Sequence, residues 1–287
     1  TVDGKFFVTA RGWEDLSEIL KSYEELQVEI GEELIGEFLQ KEEIARDFAG
    51  YYRLYEKYKS DYQIQEILDG NVISGQLKTC CDMGKKASFE ERFTVTEMLL
   101  EAVTERISVF QKTDKKTEKL YENLKLLKIF LQEKNSVEAM EQFVASRRKA
   151  LDAKICSELL TAEEAAREEE QIRILEEYFF QLKELHISDV AEGIEQIGER
   201  FGNVCRLRNE KLEETKKMLE QAFSFLEECF GEGQELLLFE TGLTGDDRCS
   251  IFISQYGCPS YFKHCELLLY SKKENELRKE CRDLLEE

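Results

Sequence analysis

Residues 88–110 have the sequence SFEERFTVTEMLLEAVTERISVF. Ser88 and Glu91 have the spacing of a capping box, which starts a helix. Apolar or small side chains then alternate at intervals of four and three residues, at Phe89, Phe93, Thr96, Leu100, Val103, Ile107 and Phe110. This spacing keeps one apolar seam on one helical face, so the stretch predicts a helix that packs against partner helices.

Further seams of the same kind follow along the chain. Leu120, Leu124, Leu127 and Leu131 predict the next helix, and Val137, Met140 and Val144 lead into a third that runs to about Leu160. Thr161 and Glu164 form a second capping box, before a fourth seam at Ile172, Leu175, Phe179 and Leu182. The fifth seam runs from Val190 to Val204 and is able to extend to Phe230, and a final helix is expected over 260–285. The prediction is a mainly all-α fold, with 71–287 as an antiparallel multi-helix bundle.

Residues 236–257 leave two alternatives open. Leu236 to Phe239 and Cys249 to Ile253 are short apolar runs on either side of Gly242 to Asp247. Such runs fit a small two-stranded element near 236–253 or two short helices, because periodicity does not separate the two over so few residues.

Composition excludes several classes of function. The net charge of −21 argues against nucleic acid and against anionic membranes as partners. The basic spots Lys115-Lys116 and Arg147-Arg148-Lys149 are interpreted as solvated helix faces. Because no apolar run has transmembrane length, no signal peptide is recognisable, and the nine Cys are irregularly spaced, we expect a cytoplasmic protein with reduced thiols.

The N-terminal part predicts a separate helical segment, 1–70. Apolar positions from Trp13 to Leu26 lie on one helical face over 11–27, and a shorter helix is expected over 32–39. Residues 42–68 carry a Tyr stripe at helical spacing, which favours a helix packed on the first two over a base-stacking surface. Asp69-Gly70-Asn71 is the predicted boundary, and 71–87 is expected to be a connector with one short helical turn.

The stretch from Gly4 to Ser17, GKFFVTARGWEDLS, resembles the sensor 2 segment of AAA+ ATPases of the MoxR type. The resemblance implies that residues 1–70 are part of an AAA+ lid and that Arg11 reaches the γ-phosphate of a nucleotide held by a core domain. It further implies that ATP and Mg²⁺ belong to a full-length parent, a chaperone-type ring ATPase that works with a von Willebrand factor A-domain partner. On this interpretation the chain is the C-terminal regulatory and assembly region of such a parent.

The chain itself lacks the phosphate-binding loop. Neither Gly4-Lys5 nor Gly84-Lys85 is followed by Ser or Thr, as a P-loop requires. We therefore expect no ATP hydrolysis by this chain alone, no catalytic residues, and Arg11 as the one nucleotide-contacting candidate. A freestanding helical scaffold that binds proteins is the alternative interpretation.

Metal binding is not expected. The one cluster with possible ligands is Cys258, His264 and Cys265, with Cys249 and Cys281 nearby in sequence. Zinc sites show closely paired ligands, and the irregular spacing favours buried structural thiols over zinc.

Overall fold

The computed structural model describes residues 8–26, 28–71, 74–131 and 135–269. Within these ranges it consists of helices, and no residue of them lies in a strand, so the all-α prediction is confirmed. The helices are α1 Ala10–Glu25, α2 Glu32–Leu39, α3 Glu42–Tyr62, α4 Ile64–Asp69, α5 Ser74–Gly84, α6 Phe89–Leu131, α7 Ser136–Cys156, α8 Ala162–Glu184, α9 Val190–Phe230, α10 Gln234–Gly245, α11 Asp247–Tyr256 and α12 Pro259–Leu269.

The chain divides into two compact units. The first contains the residues up to Ala102 together with Gln221–Gly242, and the second contains Val103–Glu220 together with the residues from Leu243 onward. The first unit thus continues past residue 70, where the sequence predicts a boundary. Whether 1–70 forms a domain of its own stays a prediction.

In the first unit, α1, α2 and α3 enclose a small apolar core. Its buried members are Leu16, Ile35, Leu39, Ala45 and Ala49. Their sequence spacing follows the helical period within each helix, so each helix turns one stripe inward. This arrangement matches the predicted pair of helices with an aromatic helix packed on them.

In the second unit, segments of α6, α7, α8 and α9 share an apolar core that contains Leu120, Phe143, Leu175 and Ile197. Helices α7 and α8 run antiparallel, because Arg148 pairs with Glu176 and Lys154 with Glu168, so one residue number rises as the other falls. The predicted antiparallel bundle is therefore present in this unit.

Helix α6 is continuous where the sequence predicts two helices. The break was expected between Phe110 and Leu120, where the apolar seam is interrupted by polar residues. Nothing between 89 and 131 is Gly or Pro, and the hydroxyls of Thr113 and Thr117 donate to the carbonyls four residues earlier. A polar stretch without a helix breaker continues the helix.

The predicted connector over 71–87 is wrong in its central part. Helix α5 covers 11 residues there, and Cys80 and Cys81 are buried in it. The thiols behave as small apolar side chains, and the Cys229 thiol donates a hydrogen bond to the sulfur of Cys81. Packing against α9 thus stabilises a helix that the local sequence signals only weakly.

Of the two alternatives for 236–257, the structure has the two short helices, because α10 and α11 occupy that stretch and no residue of it lies in a strand. Leu236, Phe239 and Leu243 are buried, whereas Leu237 is exposed. That burial follows the helical spacing of three and four rather than strand alternation. Asp246 then caps α11 by accepting from the backbone N–H groups of Arg248 and Cys249.

Two predicted helix ends agree with the structure. The capping box of Thr161 and Glu164 is formed at the start of α8, and α9 extends to Phe230, where Gly231 follows with a φ of 74°. The final predicted helix begins one residue earlier than expected, at Pro259, and its portion beyond 269 lies outside the described residues.

Candidate functional site

Arg11 lies in the first turn of α1. Thr9 caps this helix, and its hydroxyl accepts from the backbone N–H of Gly12 at 3.1 Å. The Arg11 side chain is 87% exposed, and it forms an ion pair with Asp15 at 3.8 Å, one turn further along. The guanidinium is therefore a solvent-facing cation able to form bidentate hydrogen bonds with a phosphate.

The residue after Arg11, Gly12, lies where a side chain would have little room. A Cβ at this position would lie 3.0 Å from the backbone oxygen of Phe38, at the end of α2. The missing side chain lets the start of α1 approach the end of α2 closely.

An aromatic face extends from α1 along α3 and consists of Trp13, Phe48, Tyr51 and Tyr55. The ring centroids of Trp13 and Phe48 are 5.2 Å apart, and those of Tyr51 and Tyr55 are 6.4 Å apart. Trp13 is 39% exposed and Tyr51 48%. Burial, with the nearby carboxylates of Glu101 and Glu24, raises the pKa of Tyr55 to about 12, so the face carries neutral hydroxyls at neutral pH.

The candidate zinc ligands are occupied with other contacts. The Cys258 thiol donates to Glu220 at 3.2 Å, while the Cys249 thiol is 3.5 Å from the hydroxyl of Thr104. Burial raises the pKa of Cys258 to about 12, so this thiol is protonated at neutral pH. Over the ranges that the structure describes, no three His, Cys, Asp or Glu side chains are grouped for a metal ion; Cys281 lies outside them.

The two basic spots that the sequence analysis treats separately meet in one cleft of the second unit. Lys115 and Lys116 on α6 and Arg147 on α7 line this cleft, whose volume is about 840 Å³. Arg148 instead faces Glu176, at 2.7 Å. Sequence reasoning missed this site because nothing in the sequence shows that α6 and α7 bring these cations together.

Within the described part of the chain, no helix is both long enough and apolar enough to cross a membrane.

No protein-family model, no curated protein and no solved structure matches this chain.

Proposed function

We propose that the chain is the lid end and helical extension of a MoxR-like AAA+ ATPase, and that it regulates and assembles the ATPase without hydrolysing ATP itself. The observation that carries the proposal is the presentation of Arg11. An exposed guanidinium in the first turn of a helix gains nothing from the helix dipole, which favours anions there. A role toward a nucleotide phosphate supplies a reason for that placement.

The proposed mechanism is mechanical. ATP and Mg²⁺ are held by the core domain of the parent, and contact between Arg11 and the γ-phosphate tilts α1. Leu16 joins α1 to the core it shares with α2 and α3, so that these helices follow the tilt. We further propose that the full-length parent forms a ring oligomer in the cytoplasm and acts on a client protein together with a von Willebrand factor A-domain protein.

A freestanding helical scaffold is the second candidate function. The aromatic face favours it, because Trp and Tyr that are half exposed are enriched where proteins bind one another. In this reading Arg11 is an ordinary surface residue. The coding sequence upstream of Thr1 discriminates the two, since only the ATPase reading requires Walker motifs there.

The decisive experiment replaces Arg11 by Ala in the full-length parent and measures ATP hydrolysis. Loss of a cation aimed at the transferring phosphoryl group is expected to lower kcat by about a hundredfold or more. The matched control is Lys21→Ala, which removes an exposed cation from the same helix and is expected to leave kcat unchanged. In the isolated chain, Arg11→Ala should change the free energy of unfolding by less than about 0.5 kcal/mol, as for a typical surface substitution.

Full ATPase activity in the parent with Arg11→Ala would overturn the assignment of Arg11. ATP hydrolysis by the purified, isolated chain would overturn the proposal that this chain does not hydrolyse ATP itself.

A further inference from the structure

The cleft of the second unit has an unusual charge for this protein. Eight basic and four acidic side chains line it, a surplus of four positive charges in a chain whose net charge is −21. The basic residues are Lys112, Lys115, Lys116, Lys119, Arg147, Lys154, Arg167 and Arg248. A concave site with one sign of charge concentrates ligands of the opposite sign.

The four carboxylates that line the cleft are already engaged. Glu168 accepts from Lys154 at 2.6 Å, Glu170 accepts from Lys116 at 2.9 Å, and Glu163 pairs with Arg167. Glu164 accepts from the backbone N–H of Thr161, which lowers its pKa. Three of these carboxylates are therefore paired with one cation each, and the fourth caps α8, so other cations of the cleft have no carboxylate partner among them.

Three of the cations have no carboxylate partner among the described residues: Lys112, Lys115 and Arg147. Lys112 and Lys115 are three residues apart on α6, so their side chains project from the same helical face. Arg147 lies on α7, and its guanidinium is 5.2 Å from the centre of the Phe143 ring. The cleft thus presents three uncompensated cations from two helices.

A buried polar atom in the wall adds a second requirement. Gln171 is 6% exposed, and its amide nitrogen donates to the backbone oxygen of Lys116 at 3.3 Å. Its amide oxygen is buried and has no hydrogen-bond partner among the described residues. Exchanging the amide oxygen and nitrogen would place the oxygen against the carbonyl oxygen of Lys116, so the unsatisfied atom is an acceptor. A water or a ligand hydroxyl can supply the donor that it lacks.

The wall also limits what else the ligand contains. None of the described residues that line the cleft is aromatic, and Leu160, Ile172 and Leu175 supply its apolar part. A nucleobase is commonly held by aromatic stacking, which this wall does not provide. The volume of about 840 Å³ is that of a small-molecule site.

We propose that this cleft binds a small polyol or sugar that carries two or more phosphate groups. The phosphates contact Lys112, Lys115 and Arg147, and a hydroxyl of the ligand donates to the amide oxygen of Gln171. The site is separate from Arg11 and does not depend on the ATPase reading.

The test is isothermal titration calorimetry of the full chain with fructose 1,6-bisphosphate, inositol 1,4,5-trisphosphate, tripolyphosphate and poly-glutamate. We expect the two phosphorylated polyols to bind with a Kd of about 100 μM or below, and more weakly as salt is raised. Lys112→Ala combined with Lys115→Ala should weaken this binding by about tenfold or more. The matched control combines Lys211→Ala with Lys217→Ala, two exposed cations on α9 outside the cleft, and should change the Kd less than about twofold.

Gln171→Leu tests the hydroxyl contact separately. It should weaken the binding of the phosphorylated polyols while leaving tripolyphosphate, which offers no polyol hydroxyl, unchanged. Circular dichroism of each variant establishes that it is folded, and Gln171→Met, which also removes the amide without adding a charge, serves as a second variant if the Leu variant unfolds.

Three results would overturn the proposal: no binding of either polyol phosphate at millimolar concentration, equal losses in the α9 control, or tighter binding of poly-glutamate than of both polyol phosphates. The last result would identify the cleft as a site for acidic peptides instead.

Discussion

Arg208 and Asp114 form an ion pair that joins α9 to α6 in the second unit. The Arg208 side chain donates to one Asp114 oxygen at 2.7 Å, and Tyr256 donates to the other at 3.0 Å. The guanidinium also lies 5.4 Å from the ring centres of both Phe110 and Tyr256. One cation therefore satisfies a carboxylate and covers two aromatic rings.

Replacing Arg208 by Ala should destabilise the chain by about 1–3 kcal/mol. The Asp114 side chain is 30% exposed, so the substitution leaves a partly buried carboxylate without its cation. Urea unfolding measures the change. Arg206→Ala is the control, because Arg206 lies two residues away, is 68% exposed and should change stability by less than about 0.5 kcal/mol. Equal effects of the two substitutions would contradict this role of Arg208.

The capping box at the start of α8 provides a second prediction. Thr161→Ala should lower the free energy of unfolding by about 1 kcal/mol, since the backbone N–H of Glu164 loses its acceptor. Thr113→Ala, in the interior of α6, should be neutral or slightly stabilising because Ala has the higher helix propensity. Thermal and urea unfolding of both variants give the comparison, and an unchanged Thr161→Ala protein would exclude a contribution from the cap.

Gly12 and Gly50 should respond to Ala in opposite directions. Both lie inside helices, where Ala is favoured over Gly by about 0.5–1 kcal/mol. At Gly50 no atom lies within 4 Å of the added Cβ, so Gly50→Ala should be stabilising. At Gly12 the Cβ would lie 3.0 Å from a backbone oxygen, and Gly12→Ala should be destabilising by about 1 kcal/mol. A gain in stability at both sites, measured by urea unfolding, would show that α1 moves away from α2 at no cost.

The buried thiol of Cys249 should make stability fall at alkaline pH. Burial raises its pKa from 9.0 to about 11, so between these values the folded state holds a proton that the unfolded state has lost. This contribution to the free energy of unfolding is complete below pH 9 and decreases as the pH rises toward about 11.

Urea unfolding at pH 8 and pH 10.5 gives the decrease for the unsubstituted chain. Cys249→Ala should show a smaller decrease over the same interval, because it has no thiol at position 249 to ionise. An identical pH dependence in both proteins would exclude Cys249 as a source of the effect.

Local signals in the sequence predicted much of the helical architecture. The cap at Thr161 and Glu164 and the apolar seam of α9 depend on residues within a few positions of one another, and both agree with the structure. Errors occurred where distant contacts decide the outcome. Cys81 looks polar in a short stretch, yet it is buried in α5 beside Cys229.

The seam at the start of α6 was assigned to the wrong residues. Phe89 and Phe93 are 58% and 38% exposed, whereas Val95 and Leu99 are fully buried. Both sets fit a helical period, and only the neighbouring helices determine which one faces inward. The cleft could not be predicted for the same reason. Lys115 and Arg147 are both recognisable in the sequence, but only the folded chain places them in one cleft.

Glu220 contacts the first turn of α12 from another helix. Its carboxylate accepts from the hydroxyl of Ser260 at 2.5 Å and from the backbone N–H of the same residue at 3.4 Å. The start of α12 is thus satisfied by a group 40 residues earlier in the chain. During folding, α12 gains this contact only after residues 220 and 260 have come together, so we expect α12 to order late in its unit.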